Sequence, residues 1–233
     1  EDYDPDWTPN TTDAEGRRYR FRNQPDIALW NLVQLGNALY QLIEDIDSME
    51  QVLNSYSQQF DRQFPIMQQQ KLGLQAEYDT PFQDELITLL TASETDMTIF
   101  YRNLANVVKT DTSDEALAKI EVAFYQPNKI VTTLKTSWLN WMELYLEKIK
   151  AEVGSDQERK QAMNTINPKY VLRNYMAQLA IEAAEKEDYT LIDELYTLLK
   201  NPYDEQPQYE KWFAKRPDWA RHKVGCSMLS CSS

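Results

Sequence analysis

The sequence predicts a mainly α-helical protein, and three observations carry that expectation. From Pro25 to Leu199, apolar residues recur at steps of three to five, which is the repeat of a helix face. Only 5 glycines accompany 10 prolines, too few for a sheet with many tight turns. No run reads as a strand of a sheet, and no internal repeat is evident. With 233 residues, 42% of them apolar and 12% aromatic, the chain can bury a sizeable core, as one domain or a large part of one.

The elements come in a clear order. Residues 1–24 show no sustained helical period and read as an extended, turn-rich segment docked on the helical body. Trp7, Tyr19 and Phe21 make it more aromatic than a disordered tail. Pro25 suits a first helical position, and Ile27, Trp30, Leu35, Leu39, Leu42 and Ile46 share one face. A polar helix with Val52, Tyr56, Phe60, Phe64 and Met67 comes next, which Pro65 should kink or end. Its glutamines (58–59 and 68–70) read as a solvated face.

Thr80-Pro81 opens a helix through Leu90, and Ser93-Glu-Thr-Asp96 reads as a capping box for a helix through Val108. A polar turn at Asp111–Asp114 precedes a short helix around Ala116–Phe124. Ile130, Leu134, Trp138, Trp141, Leu144, Tyr145 and Ile149 predict a long helix that Gly154-Ser-Asp156 breaks. Asn167-Pro168 is expected to start a helix through about Lys186, and Tyr189–Leu199 another, stopped at Asn201-Pro202. The tail beyond Asp204 reads as irregular, with turns around Tyr209–Phe213 and Pro217–Ala220.

Charge and cysteine usage narrow the function classes. A net charge of −13 opposes binding of the whole chain to nucleic acid or anionic membrane. No run approaches the ~18 apolar residues of a membrane span, and no signal peptide is visible. The 2 cysteines, Cys226 and Cys231, cannot staple the body of the fold, which fits an intracellular protein or one of another compartment that does not depend on disulfides.

The chemistry-bearing residues are few. His222 is the single histidine, four positions from Cys226, and reads either as a surface residue or as half of a Cys–His pair. That count excludes a His-rich metal site, and no cysteine spacing resembles a zinc site. Gly16, Gly36, Gly73, Gly154 and Gly225 are scattered, so there is no glycine-rich phosphate loop. Carboxylate runs such as Glu44–Asp47 and Glu185–Asp188 read as solvated helix faces.

Arg18-Tyr-Arg-Phe-Arg22 alternates, placing three arginines on one side of an extended segment and two rings on the other. In one reading the rings anchor the segment while the guanidinium groups pair with carboxylates such as Asp13 and Glu15. In the other, arginines meet a nucleotide phosphate or an acidic protein. A single-stranded nucleic-acid platform is the lesser version of the second reading, given the overall charge.

Several motifs resemble the selenoprotein O family: Tyr3-Asp-Pro5, Thr8-Pro-Asn-Thr-Thr-Asp13, Gly16-Arg-Arg-Tyr19, Gln24-Pro25 and Trp30-Asn-Leu32 near the start. Asn167-Pro-Lys-Tyr-Val-Leu-Arg-Asn174 with Ala180-Ile181, then Asn201-Pro-Tyr203 and the ending Ser230-Cys-Ser-Ser233, extend the likeness to the other end. Between residues 50 and 160 it rests on helical character, Trp138 and Trp141 alone. The resemblance implies a protein-kinase-like pseudokinase that moves AMP from ATP, with Mg²⁺ or Mn²⁺, onto Ser, Thr or Tyr hydroxyls of proteins. It implies an activation-segment-like region at 1–24, a helical C-lobe at 25–203 and an irregular tail at 204–233. The lysine, glutamate, arginines, catalytic base and metal ligands of the family would all precede Glu1. No catalytic residue is therefore carried over, and the chain alone is expected to be an inactive fragment that binds neither ATP nor metal.

What carries over is a substrate-side or structural role for Asn10, Arg17, Arg18 and Gln24, and a redox role for Cys226 and Cys231. Cys231 falls where some members have selenocysteine. Pro9 stands where some relatives have a partner cysteine, so only Cys226 could close a loop with Cys231. Expected partners are protein substrates and the family's N-lobe, with no nucleic acid and no membrane. The expected location is cytoplasmic, or mitochondrial in a eukaryote. Two alternatives stay open: a stand-alone helical interaction module and a thiol-dependent redox protein. Cut from an N-lobe, the chain should expose an apolar face and self-associate.

Overall fold

The computed structural model describes residues 2–8, 17–43, 45–76, 79–223 and 226. Among these there are nine α-helices and no strand. The described residues fall into two compact units, one of residues 2–3 with 69–226 and one of residues 4–68.

The smaller unit contains the N-terminal segment, α1 (Gln24–Ile43) and most of α2 (Ile46–Lys71). Pro25 lies in the first turn of α1, where its missing N–H has no helical acceptor to lose. Tyr56 of α2 donates its hydroxyl to the Pro25 carbonyl at 3.1 Å. Pro65 does not end α2, which continues to Lys71. Proline removes one backbone donor, while Phe60 and Phe64 stack at 5.1 Å across the preceding turn and hold the helix there. No residue of α1 or α2 is buried.

The larger unit is built around a stack of aromatic rings. α3 (Thr80–Ala92), α4 (Met97–Leu104), α5 (Ser113–Ile120) and α6 (Thr132–Ala151) enclose the first core. From α6, Trp138, Trp141 and Tyr145 point inward at the i, i+3, i+7 spacing of one helix face, all fully buried. Trp141 stacks between Phe82 (4.9 Å) and Tyr145 (5.4 Å), and Trp138 meets it edge-on at 6.0 Å. Each ring also satisfies its polar atom. Trp138 donates to Ser93 Oγ (2.7 Å), Trp141 to the Phe82 carbonyl (3.2 Å) and Tyr145 to the Leu72 carbonyl (2.8 Å).

In this unit the structure departs from the sequence expectations at four points. The capping box at Ser93 does not form. Ser93 is the buried acceptor of Trp138, Glu94 turns the chain at φ +43°, and the cap of α4 is Asp96, which accepts from Ile99 N at 3.1 Å. That helix stops at Leu104, short of Val108. Helix α7 (Asp156–Ile166), which no apolar stripe announces, comes after the Gly154 break and is opened by a full capping box of Ser155 and Glu158. Finally, Asn167-Pro168 does not start a helix. Residues 167–173 are not helical, and Lys169 and Tyr170 both donate their backbone N–H to the Pro202 carbonyl (2.8 and 3.0 Å). The next helix, α8 (Asn174–Ala184), begins only after Arg173.

α8 and α9 (Thr190–Leu199) form a second core with the tail, whose short segments Pro207–Trp212 and Asp218–Ala220 are 3-10 helices. Tyr170, Tyr175, Leu198, Trp212 and Cys226 are buried there. Arg102 of α4, itself buried, ties the two cores. Its guanidinium donates to the carbonyls of Asn164 (3.0 Å), Asn167 (3.0 Å) and Tyr203 (3.1 Å) and pairs with Glu205 (2.7 Å).

Candidate functional site

In the smaller unit the N-terminal segment folds back on itself instead of running as an extended strip. Phe21 N donates to the Trp7 carbonyl (2.9 Å) and Arg22 N to the Pro5 carbonyl (3.0 Å), so residues 20–22 lie beside residues 5–7. Arg17 to Tyr19 form a turn, with Arg17 at φ +49°. The three alternating arginines therefore do not share one side. Arg20 and Arg22 both reach Asp6 Oδ1 (3.2 and 2.8 Å), and Arg17 donates to the Asp6 carbonyl at 3.3 Å. The Arg18 guanidinium carbon lies over Trp30, 3.7 Å from the ring centre. Gln24 donates to the Tyr19 carbonyl at 2.6 Å. Tyr19 and Phe21 are both more than a third exposed.

Asp6 is thus the carboxylate that gathers the arginines. The acids named from the sequence, Asp13 and Glu15, lie outside the described residues, as do Asn10 and Cys231. Cys226 is fully buried in the second core, whereas His222 is exposed on the preceding turn. Among the described residues, no group of three or more His, Cys, Asp or Glu side chains gathers to hold a metal ion. No helix among them is long and apolar enough to cross a membrane.

The larger unit contains a polar cluster that no spacing in the sequence announces. Asp96 is fully buried and receives Arg173 through both guanidinium nitrogens, at 2.5 and 3.0 Å. Burial drives the Asp96 carboxyl upward, but the Arg173 hydrogen bonds and charge outweigh it and hold the group below its usual range. Tyr125 donates its hydroxyl to Asp96 Oδ2 at 3.3 Å and accepts the Arg216 backbone N–H at 2.9 Å. Burial and the Asp96 charge both push that phenol well above its ordinary value. Arg216 pairs through its side chain with Asp2 (2.8 Å), and Tyr3 N donates to the Thr95 carbonyl (2.8 Å). Glu94, one residue before Thr95, accepts from Gln126 (2.9 Å) and Arg221 (3.1 Å). Residues 2–3, 94–96 and 123–125 therefore lie side by side, clamped by Arg173 and Arg216.

One other cleft in this unit has a volume of about 530 Å³ and is lined by Lys109, Glu152 and Arg159 among others. Its charges are turned to structure. Lys109 Nζ donates to the carbonyls of Glu152 (2.6 Å) and Gly154 (3.0 Å), and Arg159 to the Val107 carbonyl and Tyr145 Oη.

Comparison with known proteins places the chain in a family. The family model described as protein adenylyltransferase SelO matches residues 1–200. A protein nucleotidyltransferase YdiU of Flavobacterium johnsoniae is 57% identical over 235 residues, covering all of this chain and 45% of the relative. Proteins of the same name from Rhodopirellula baltica (46% identical) and Aromatoleum aromaticum (45%) are likewise covered for 46% and 44% of their length. The chain thus spans a little under half of the curated relatives it matches. With a matched family model across most of its residues, the chain belongs to the SelO family.

Proposed function

We propose that the whole protein transfers AMP from ATP to side-chain hydroxyls of proteins. This chain contributes the helical C-lobe of a kinase-like fold, and residues 4–24 are the activation segment beside the protein-substrate site. The observation that carries the reading is the family match, which begins at that segment and runs to residue 200. Two features of the chain support it. Its described body is helical, and its arginine-rich segment is folded into a defined shape by Asp6. When bound, ATP and Mg²⁺ or Mn²⁺ supply the transferred group and neutralise charge on the phosphates.

The described residues do not fit that nucleotide–metal group: they lack a gathered donor set, and the glycines are scattered. On this reading the residues that hold nucleotide and metal stand in the part of the whole protein outside this chain. What its residues do is hold shape. Asp6 fixes the fold-back through Arg20 and Arg22, Arg18 seats on Trp30, and Arg17 and Gln24 close the turn. Partners on this reading are protein substrates and the N-lobe, in the cytoplasm or, in a eukaryote, the mitochondrion. A thiol-dependent function fits less well, because Cys226 is packed among Tyr175, Leu198 and Trp212.

The test is labelling with ATP tagged at the α-phosphate. The whole protein should label acceptor proteins and the 233-residue chain alone should not. Absence of transfer by the whole protein overturns the reading; transfer by the chain alone overturns the placement of the chemistry.

A further inference from the structure

Asp2 and Arg216 stand 214 positions apart, yet their side chains meet at 2.8 Å. Arg216 is buried, and its backbone N–H is fixed separately on Tyr125 Oη. Tyr125 in turn rests on Asp96, which Arg173 holds from the start of α8. The guanidinium of Arg216 also lies 5.4 Å from the Tyr125 ring centre, with Arg221 at 5.6 Å and Lys215 at 5.8 Å around the same ring. Three cations thus gather around the Tyr125 ring, and one of them, Arg216, reaches Asp2, two residues before the fold-back segment starts. The Arg216–Asp2 pair itself satisfies none of the aromatic core's ring donors, which find their acceptors at Ser93, Phe82 and Leu72.

We propose that Arg216 is a positioning residue for AMP transfer. By holding Asp2 it fixes the point from which residues 4–24 leave the helical unit. This rests on the reading of that segment as an activation segment. Arg216 does not touch the reacting groups; it acts through Asp2 and the paired Tyr3 backbone. Two neighbours define the clasp's chemistry. Asp2 supplies a partly exposed carboxylate, and Arg216 supplies a guanidinium with little access to water. A charge held in that setting is costly to leave without its carboxylate, so the clasp should be persistent rather than transient.

The experiment uses the whole protein as wild type, Arg216→Met, Arg216→Lys, Asp2→Asn and the Asp2→Asn/Arg216→Met double variant. Amide hydrogen exchange is followed by mass spectrometry, and AMP incorporation into the protein itself is measured with α-phosphate-labelled ATP. The expected result for Arg216→Met is at least tenfold faster exchange confined to residues 3–8 and 17–23. AMP incorporation should fall about tenfold with KM for ATP unchanged. Arg216→Lys should restore both in part, and the double variant should be no worse than either single one. Unchanged exchange in Arg216→Met overturns the clasp, and so does faster exchange spread across the larger unit with an equal fall in Arg216→Lys. Faster local exchange with undiminished AMP incorporation overturns the positioning role. A wild type that incorporates no AMP overturns the adenylyltransferase reading instead, while the exchange arm still judges the clasp.

Discussion

Gly73 adopts φ +69°, and a Cβ built there would stand 2.6 Å from Met163 Sδ. Both facts demand glycine, one through backbone conformation and one through space. Gly73→Ala is therefore expected to destabilise the chain's larger unit by more than about 1 kcal/mol, read as a lower melting temperature. A melt at the wild-type temperature would contradict this. Asp96 offers a sharper case. Removing its charge in Asp96→Asn strands Arg173 in a buried site and is expected to cost about 3–5 kcal/mol in denaturant unfolding. An unchanged denaturation midpoint would refute it. The pH dependence has a definite sign. The folded-state pKa of Asp96 lies below its unfolded value, so the stabilisation is complete above about pH 4 and is lost as pH falls through the folded value. Stability that stayed flat down to acid unfolding in wild type, or that fell equally steeply in Asp96→Asn, would remove this pair as the cause. The pair could not be read from the chain. Asp96 and Arg173 are 77 positions apart, and nothing in their spacing distinguishes them from the surface charges around them. The arginines at 17–22 were visible as a group, but their carboxylate was not: Asp6 becomes their partner only once the segment folds back.

Helices whose cores are apolar stripes were legible. Trp138, Trp141 and Tyr145 announce α6 because burial at helical spacing is what selects such residues. α7 was not legible for the same reason inverted. It buries only Arg159 and Met163, so its identity rests on the capping box at Ser155 rather than on a hydrophobic face. Thr112 and Glu115 open α5 in the same way. Ser155→Ala should cost about 1 kcal/mol, lowering the melting temperature by roughly 2–4 °C. A change below about 0.5 °C would assign α7 to tertiary packing instead. Asn167-Pro168 misleads because proline's fixed φ suits a first helical turn and an extended run alike. The Pro202 carbonyl, which accepts two backbone donors there, decides for the extended form.

At the scale of the whole chain, the two units differ in how much they bury. The larger has two cores, whereas α1 and α2 bury nothing, with Leu42 81% and Val52 68% exposed. Two long helices that expose this many apolar side chains call for a cover, which supports the fragment reading. The 233-residue chain alone is expected to elute above monomer size and to bind a hydrophobic dye strongly. A sharp monomer peak with no dye binding would show that these helices are soluble as they stand.

The clasp between Asp2 and Arg216 also orders events during synthesis. Its ends are 214 residues apart, so closing that loop carries an entropic cost of about 5 kcal/mol. A ribosome adding roughly 5–20 residues per second makes Asp2 some 10–40 s before Arg216 exists. During that interval the arginine-rich segment has emerged but has nothing at the far end of the chain to hold it. A nascent chain that stalls before Arg216 would carry every residue of the segment and still lack its anchor, so synthesis through Arg216 becomes a condition for the segment's final placement.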